Sequence, residues 1–167
     1  MPALRIGGVV LGMIIAAGAR AGVPVDALQF DLKCYGQFED RAQDTTGWFW
    51  ERVRVDLQKG RFCIEECQSV QRLTRFDART VEYHYDQNSS DPKLNAQPPY
   101  QAETTAGPFF SKLDMTFDRR TGSYRRRDVL LEGDIVGVSH DDRYTGSCVL
   151  RPFSGLPAPD HYHRWSD

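Results

Sequence analysis

Histidine beside carboxylate is the first pairing in this sequence that could do chemistry. His161 and His163 stand two positions apart next to Asp160, and imidazole with carboxylate suits zinc or copper. A chain terminus offers little scaffold to fix a coordination geometry. We therefore predict no metal site, and His161 and His163 are the weaker alternative.

Two further polar groups resemble parts of known sites but lack the rest. His140, Asp141 and Asp142 are consecutive, yet they have neither the spaced oxygen ligands nor the central glycine of a calcium loop, so we interpret them as a solvated turn. Ser154 in PFSG lacks the Gly-x-Ser-x-Gly pattern of a nucleophile elbow and an evident histidine partner. We predict no catalytic residue and no cofactor.

The four cysteines are the remaining reactive groups. They can pair in three ways. Cys34 lies in a strand-like segment near the start and Cys148 in one near the end, whereas Cys63 and Cys67 are close together in RFCIEEC. We predict the disulfides Cys34–Cys148 and Cys63–Cys67. A redox role for Cys63 and Cys67 is not favoured, because redox motifs have two intervening residues and this one has three.

Five arginines crowd one predicted hairpin and could hold an anionic partner: Arg119, Arg120, Arg125, Arg126 and Arg127. The competing interpretation is a charged strand edge that resists aggregation, and this is the one we favour. Even so, the group is the strongest local excess of positive charge in an acidic chain, and a negatively charged partner would be steered to it.

Trp48, Phe49 and Trp50 form an aromatic group that could line a pocket or a binding surface. Aromatic side chains bury the largest apolar area of any residue type. We therefore predict that the three pack in the core.

The segment 112–131 positions the arginines. Its first half has apolar residues at every second position, as a half-buried strand does, and FDRRTGSY supplies the turn residues of a hairpin. On the return strand, Tyr124 and Val129 have opposite parity, so one buried face can hold both only if a bulge intervenes. We predict that bulge within 125–127.

Other short segments show the same alternation, and no window shows the 3.6-residue period of a helix. They are 28–34, 49–57, 61–63, 70–73, 80–85, 136–138 and 145–150. We predict an all-β protein with little helix: one antiparallel β-sandwich or small β-barrel of about seven to eight strands, stapled by disulfides.

The ends of the chain differ from its middle. Segment 1–21 has Arg5, an apolar run and small residues at the export-cleavage spacing, which predicts a signal peptide and no membrane anchor after cleavage. We expect a β domain at 22–157, with a mobile polar loop at 86–108, and a flexible tail at 158–167. The predicted location is the periplasm or the exterior.

The charge balance excludes one class of partner. Without 1–21 the chain keeps 19 basic and 23 acidic side chains. Nucleic-acid binding depends on an excess of lysine and arginine on one face. We therefore predict no nucleic-acid partner.

Several motifs carry a resemblance: FDLKC, VRVDLQKGRFCIEEC, FDRRTGSY, and TGSC followed by RPFSGLP. Together they resemble a family of small exported bacterial β-proteins of unknown function, over most of the chain after the leader. The chain is also similar to periplasmic lysozyme inhibitors in size, export, strand content and the cysteines of its first and last strands. The second resemblance implies an inhibitor.

These observations favour a non-enzymatic envelope or secreted binding module, with an enzyme inhibitor as its more specific form. The expected partner is an envelope protein or an anionic surface. The alternative is a small hydrolase or metal-dependent enzyme whose site is assembled from residues scattered along the chain.

Overall fold

The computed structural model describes residues 23–24, 26–67, 70–95, 109–131 and 138–157. The predicted signal peptide, the tail and residues 96–108 of the polar loop lie outside these ranges. The elements are β1 (Gln29–Asp40), β2 (Thr45–Asp56), β3 (Arg61–Ile64), β4 (Gln71–Arg72), β5 (Arg75–Phe76), β6 (Thr80–Asp86), α1 (Pro92–Asn95), β7 (Phe109–Asp118), β8 (Ser123–Leu131) and β9 (Val138–Arg151). The all-β prediction with little helix is confirmed.

The described strands form one antiparallel sheet in the order β4-β3-β2-β1-β9-β8-β7-β6-β5. Its two edge strands, β4 and β5, are separated in the chain only by Leu73 and Thr74. The sheet must therefore curl until its edges meet. The Leu73 N–H donates to the Gly60 carbonyl at 2.9 Å, and the Thr74 N–H donates to the Glu82 carbonyl at 3.0 Å. The curled antiparallel sheet is a half-barrel.

The core lies inside the curl, and rings from distant strands meet there. The rings of Phe62 in β3 and Tyr83 in β6 are 4.9 Å apart, and those of Phe30 in β1 and Phe117 in β7 are 6.5 Å apart. Alternate residues of each strand supply these side chains, because successive side chains point to opposite faces of a strand. The period-2 pattern therefore determines which residues face inward.

The first and last strands are joined covalently. Cys34 of β1 lies opposite Cys148 of β9, and the two are bonded; Cys63 is bonded to Cys67. The structure thus contains both predicted pairs. Two positions further along, Gly36 and Gly146 face each other, and a Cβ on either would lie 2.2 or 2.1 Å from backbone of the other strand. Only glycine allows so close an approach.

The hairpin between β7 and β8 has the predicted turn. The Asp118 carboxylate accepts the N–H groups of Arg120 and Thr121, and Gly122 has a φ of 71°. The predicted bulge at 125–127 is wrong. Pairing of β8 with β7 continues without a break from Tyr124 to Val129, and the register shift lies on β7 between Phe110 and Lys112.

Candidate functional site

Without a bulge, β8 turns polar residues inward. Tyr124, Arg126 and Asp128 share the buried face, while Arg125 is exposed. The rule that apolar residues face the core does not hold at Arg126 and Asp128. These two side chains are hydrogen-bonded to each other, which is the condition under which buried charge is tolerated.

The Arg126 cluster consists of Glu51, Arg126 and Asp128. The guanidinium donates to both Asp128 oxygens, from Nε at 3.0 Å and from Nη2 at 2.7 Å, and its Nη1 donates to Glu51 Oε2. The Tyr144 ring covers the guanidinium, with 4.1 Å between the ring centroid and the guanidinium carbon. Both carboxylates are buried. The single guanidinium of Arg126 is therefore hydrogen-bonded to two buried carboxylates.

Burial dominates the electrostatics of this cluster. It raises the pKa of Asp128 to about 6, against the opposing attraction of Arg126. Burial also raises the pKa of Glu51, again opposed by Arg126. Because the charged form of each carboxylate depends on the same guanidinium, loss of Arg126 would leave two buried carboxylates without a cation.

The His140 cluster consists of Asp40, His140 and Asp142. Each side chain offers one potential metal-ligand atom, and these three atoms all lie within 4.8 Å of one another. His140 Nδ1 lies 2.6 Å from Asp40 Oδ2, and the Tyr144 hydroxyl donates to Asp142 Oδ2 at 3.3 Å. Burial raises the pKa of Asp40, but the hydrogen bond from His140 and three backbone N–H groups together hold it below its usual value.

The interpretation of residues 140–142 as a solvated turn is wrong. All three lie in β9, and Asp141 points away from the other two. The Asp141 carboxylate accepts hydrogen bonds from Arg127 at 2.8 and 3.0 Å. Alternation along β9 could have separated Asp141 from His140 and Asp142, but no local pattern shows that Asp40 faces them.

The five arginines do not form one exposed surface. Arg119 is buried, and its guanidinium donates to the backbone carbonyls of Pro24, Ala27 and Asp77 at 2.7 to 3.1 Å. Arg126 is mostly covered, with 12% of its side chain exposed, and is held in its own cluster. These two side chains stabilise the fold and do not face a partner, so the patch of five is corrected to three.

The other three arginines lie outside the curl. Arg127 is paired with Asp141, whereas Arg120 and Arg125 are exposed. Arg125 lines an outer groove of about 490 Å³ in which basic and acidic side chains are mixed. The charged groups of the groove include Arg75, Arg79, Arg125, Asp77, Glu82 and Asp118. A purely anionic partner would meet carboxylates there.

The prediction that the aromatic group packs in the core is wrong for its two tryptophans. The exposed fraction is 78% for Trp48 and 71% for Trp50, and Tyr35 lies directly opposite Trp50 with 51% exposed. We call these three the aromatic surface. Phe49 points inward, with its ring 6.2 Å from that of Tyr124. The signal was present in the sequence, because Val53 and Phe49 have the same parity and the tryptophans the other.

The remaining site candidates from the sequence are Ser154 and the two tail histidines. The Ser154 hydroxyl donates to Asp31 at 2.6 Å, which fixes the segment after β9 against β1. His161 and His163 lie outside the described residues.

A second histidine pairs with carboxylates on the outer face of β6 and β7. His84 Nδ1 lies 3.0 Å from Asp114 Oδ1. This hydrogen bond, against the opposing effect of burial, raises the pKa of His84. The resulting stabilisation is complete below the ordinary histidine pKa of about 6.5 and is lost as the pH rises through the raised value.

We expect His84→Gln to destabilise the protein more at about pH 6 than at about pH 9. The pair is half-exposed, so the difference stays below about 1 kcal/mol. Denaturant titration of both proteins at the two pH values measures it, and an equal loss at both values would contradict the assignment.

Comparisons with protein-family models, curated proteins and solved structures find no match for this chain. The family resemblance therefore stays a prediction. In the described ranges, no helix has the length and apolar character needed to cross a bilayer.

Proposed function

We propose that this protein is a periplasmic or secreted, non-enzymatic binding module, and that its aromatic surface binds the partner. The exposure of Trp48 and Trp50 carries the proposal. Tryptophan and tyrosine dominate binding hot spots because each buries a large, rigid area on contact. Single exposed apolar residues are ordinary on protein surfaces, whereas contiguous ones favour an interaction site.

The charges beside the aromatic surface favour an acidic protein partner. Lys33 and Arg52 lie opposite each other on β1 and β2, two positions from Tyr35 and Trp50 and on the same outer face. Neither side chain forms an ion pair with another described residue. Apolar anchors with a charged rim are the usual composition of a protein interface, and unpaired cations at the rim attract a negatively charged surface.

The proposed location rests on the disulfides and the predicted leader. Two disulfides are consistent with an oxidising periplasmic or extracellular location. The more specific form of the proposal is an inhibitor of an exported enzyme, with the aromatic surface as the region that contacts it.

Replacing Trp48 and Trp50 together with alanine should abolish partner binding and leave the fold intact. Partners are first captured from envelope and culture-medium fractions by the immobilised protein, and the affinity of each purified partner is then measured. We expect a loss of at least about 100-fold, because hot-spot residues contribute about 2 kcal/mol or more each. Exposed positions change stability by only about 0.5 kcal/mol.

The matched control is Phe76→Ala, which removes another exposed aromatic side chain, on β5, and should leave affinity unchanged. Reversing charge with Lys33→Glu and Arg52→Glu should slow association and reduce its dependence on salt. Binding by the double tryptophan variant at wild-type affinity would refute the proposed surface.

A further inference from the structure

Three aspartates stand in one row across three neighbouring strands. Asp40 of β1 pairs with Asp142 of β9, and Asp142 pairs in turn with Asp128 of β8. Like charges placed directly opposite each other in a sheet are destabilising. Such a row requires positive charge near it.

Two of the three aspartates accept several hydrogen bonds from the described residues. Asp128 is held by both donors of Arg126, and Asp40 accepts backbone N–H groups as well as the contact from His140. Asp142, the middle one, has a hydroxyl donor and no cation within ion-pair distance among the described residues. Of the three aspartates, Asp142 therefore has the weakest compensation, from the Tyr144 hydroxyl and from the longer-range attraction of His140 and Arg126.

The balance of charges on the inward face of the sheet also indicates a deficit of positive charge in this region. Four carboxylates lie on the inward face at this end of the sheet, those of Asp40, Glu51, Asp128 and Asp142. Among the described residues, the guanidinium that forms ion pairs with them is that of Arg126, at Glu51 and Asp128. An imidazolium at His140 would neutralise one more carboxylate. A dication would neutralise two and would use the neutral imidazole as a ligand.

The outer histidine, His84, has a different arrangement of carboxylates around it. Both ring nitrogens of His84 face carboxylates, but they are different ones on different sides of the ring, Asp114 at 3.0 Å and Glu82 at 3.8 Å. Lys112 lies 3.5 Å from Asp114 and supplies the positive charge. In the His140 cluster, by contrast, one potential ligand atom from each of the three residues lies within 4.8 Å of the other two.

We propose that Asp40, His140 and Asp142 bind a zinc ion. One imidazole nitrogen and two carboxylate oxygens are ligands that zinc accepts, and three protein ligands leave a fourth position for water or for a group from a bound molecule. The ligands come from β1 and β9, the strands that the Cys34–Cys148 disulfide joins, so a rigid part of the sheet positions them. The site is distinct from the aromatic surface, which lies on the outer face.

Zinc binding is measured by calorimetry on the full chain without a histidine tag, after treatment with a chelator. We expect one zinc per chain, and a melting temperature raised by roughly 5–10 °C at a zinc concentration about 100 times the dissociation constant. Asp142→Asn and His140→Gln, which keep the shape or the polarity of the side chain, should each weaken zinc binding at least 10-fold.

The controls separate this site from the other histidines. Asp141→Asn, on the opposite face of β9, and His84→Gln should leave zinc affinity unchanged. If affinity is lost instead in the His161→Ala, His163→Ala double variant and kept in Asp142→Asn, the tail binds the metal and the proposal is overturned. Absence of saturable zinc binding by the folded wild-type protein also overturns it.

Discussion

Replacement of Arg126 by leucine is expected to lower the free energy of unfolding by about 3–5 kcal/mol, because it leaves the buried carboxylates of Glu51 and Asp128 without their shared cation. Leucine fills part of the volume but offers no donor. The lost contact with the Tyr144 ring adds to the effect. Denaturant titration at neutral pH measures the change.

Arg125→Leu is the matched control for this prediction. Arg125 is the preceding residue of the same strand, but its side chain points outward and is exposed. It should cost no more than about 0.5 kcal/mol. Adding Glu51→Gln and Asp128→Asn to Arg126→Leu should recover part of the loss, since no buried charge then remains unpaired. Equal small losses in the Arg125 and Arg126 variants would show that Arg126 is not buried in solution.

Removing the disulfide between the first and last strands is the second change with a large expected effect. Cys34 and Cys148 are separated by 114 positions in the chain. Cross-links that close long loops restrict the unfolded chain most, and a loop of this length corresponds to about 5 kcal/mol. The variant with Cys34→Ala and Cys148→Ala should lose approximately this amount in a denaturant titration.

The second disulfide provides the comparison. Cys63 and Cys67 are only 4 positions apart, for which the same treatment gives about 2 kcal/mol. The variant with both replaced by alanine should therefore be clearly more stable than the one that lacks the long-range bond. A reversed order would mean that the unfolded chain already holds β1 near β9 without the bond.

The sequence by itself determined the all-β class, the main turn and the alternation within strands, although it predicted a turn at 140–142, where β9 continues. Each depends on residues close together in the chain. Alternation sets which side chains share a face, and Asp118 and Gly122 satisfy the backbone of the β7–β8 turn with local contacts. The cysteine pairs were predicted from strand position and spacing among three possible pairings, and the structure contains the predicted ones.

The alternation along β2 already indicated that Trp48 and Trp50 face outward. The prediction that they pack in the core was wrong because it followed the general tendency of aromatic residues to be buried. The same tendency led to a bulge in β8. In both strands the alternation of side chains, and not the preference for apolar residues in the core, gives the orientation that the structure shows.

Only the tertiary structure decided which charges meet inside the sheet. Arg126 can face inward because Glu51, 75 positions away in the chain, lies across the interior from it. Asp40 and Asp142 stand opposite each other because β9 returns to pair with β1. Side-chain period is a local property of a strand, whereas strand order and register are fixed by how the whole sheet curls, so the charge pairs and the proposed zinc ligands exist only once that sheet has formed.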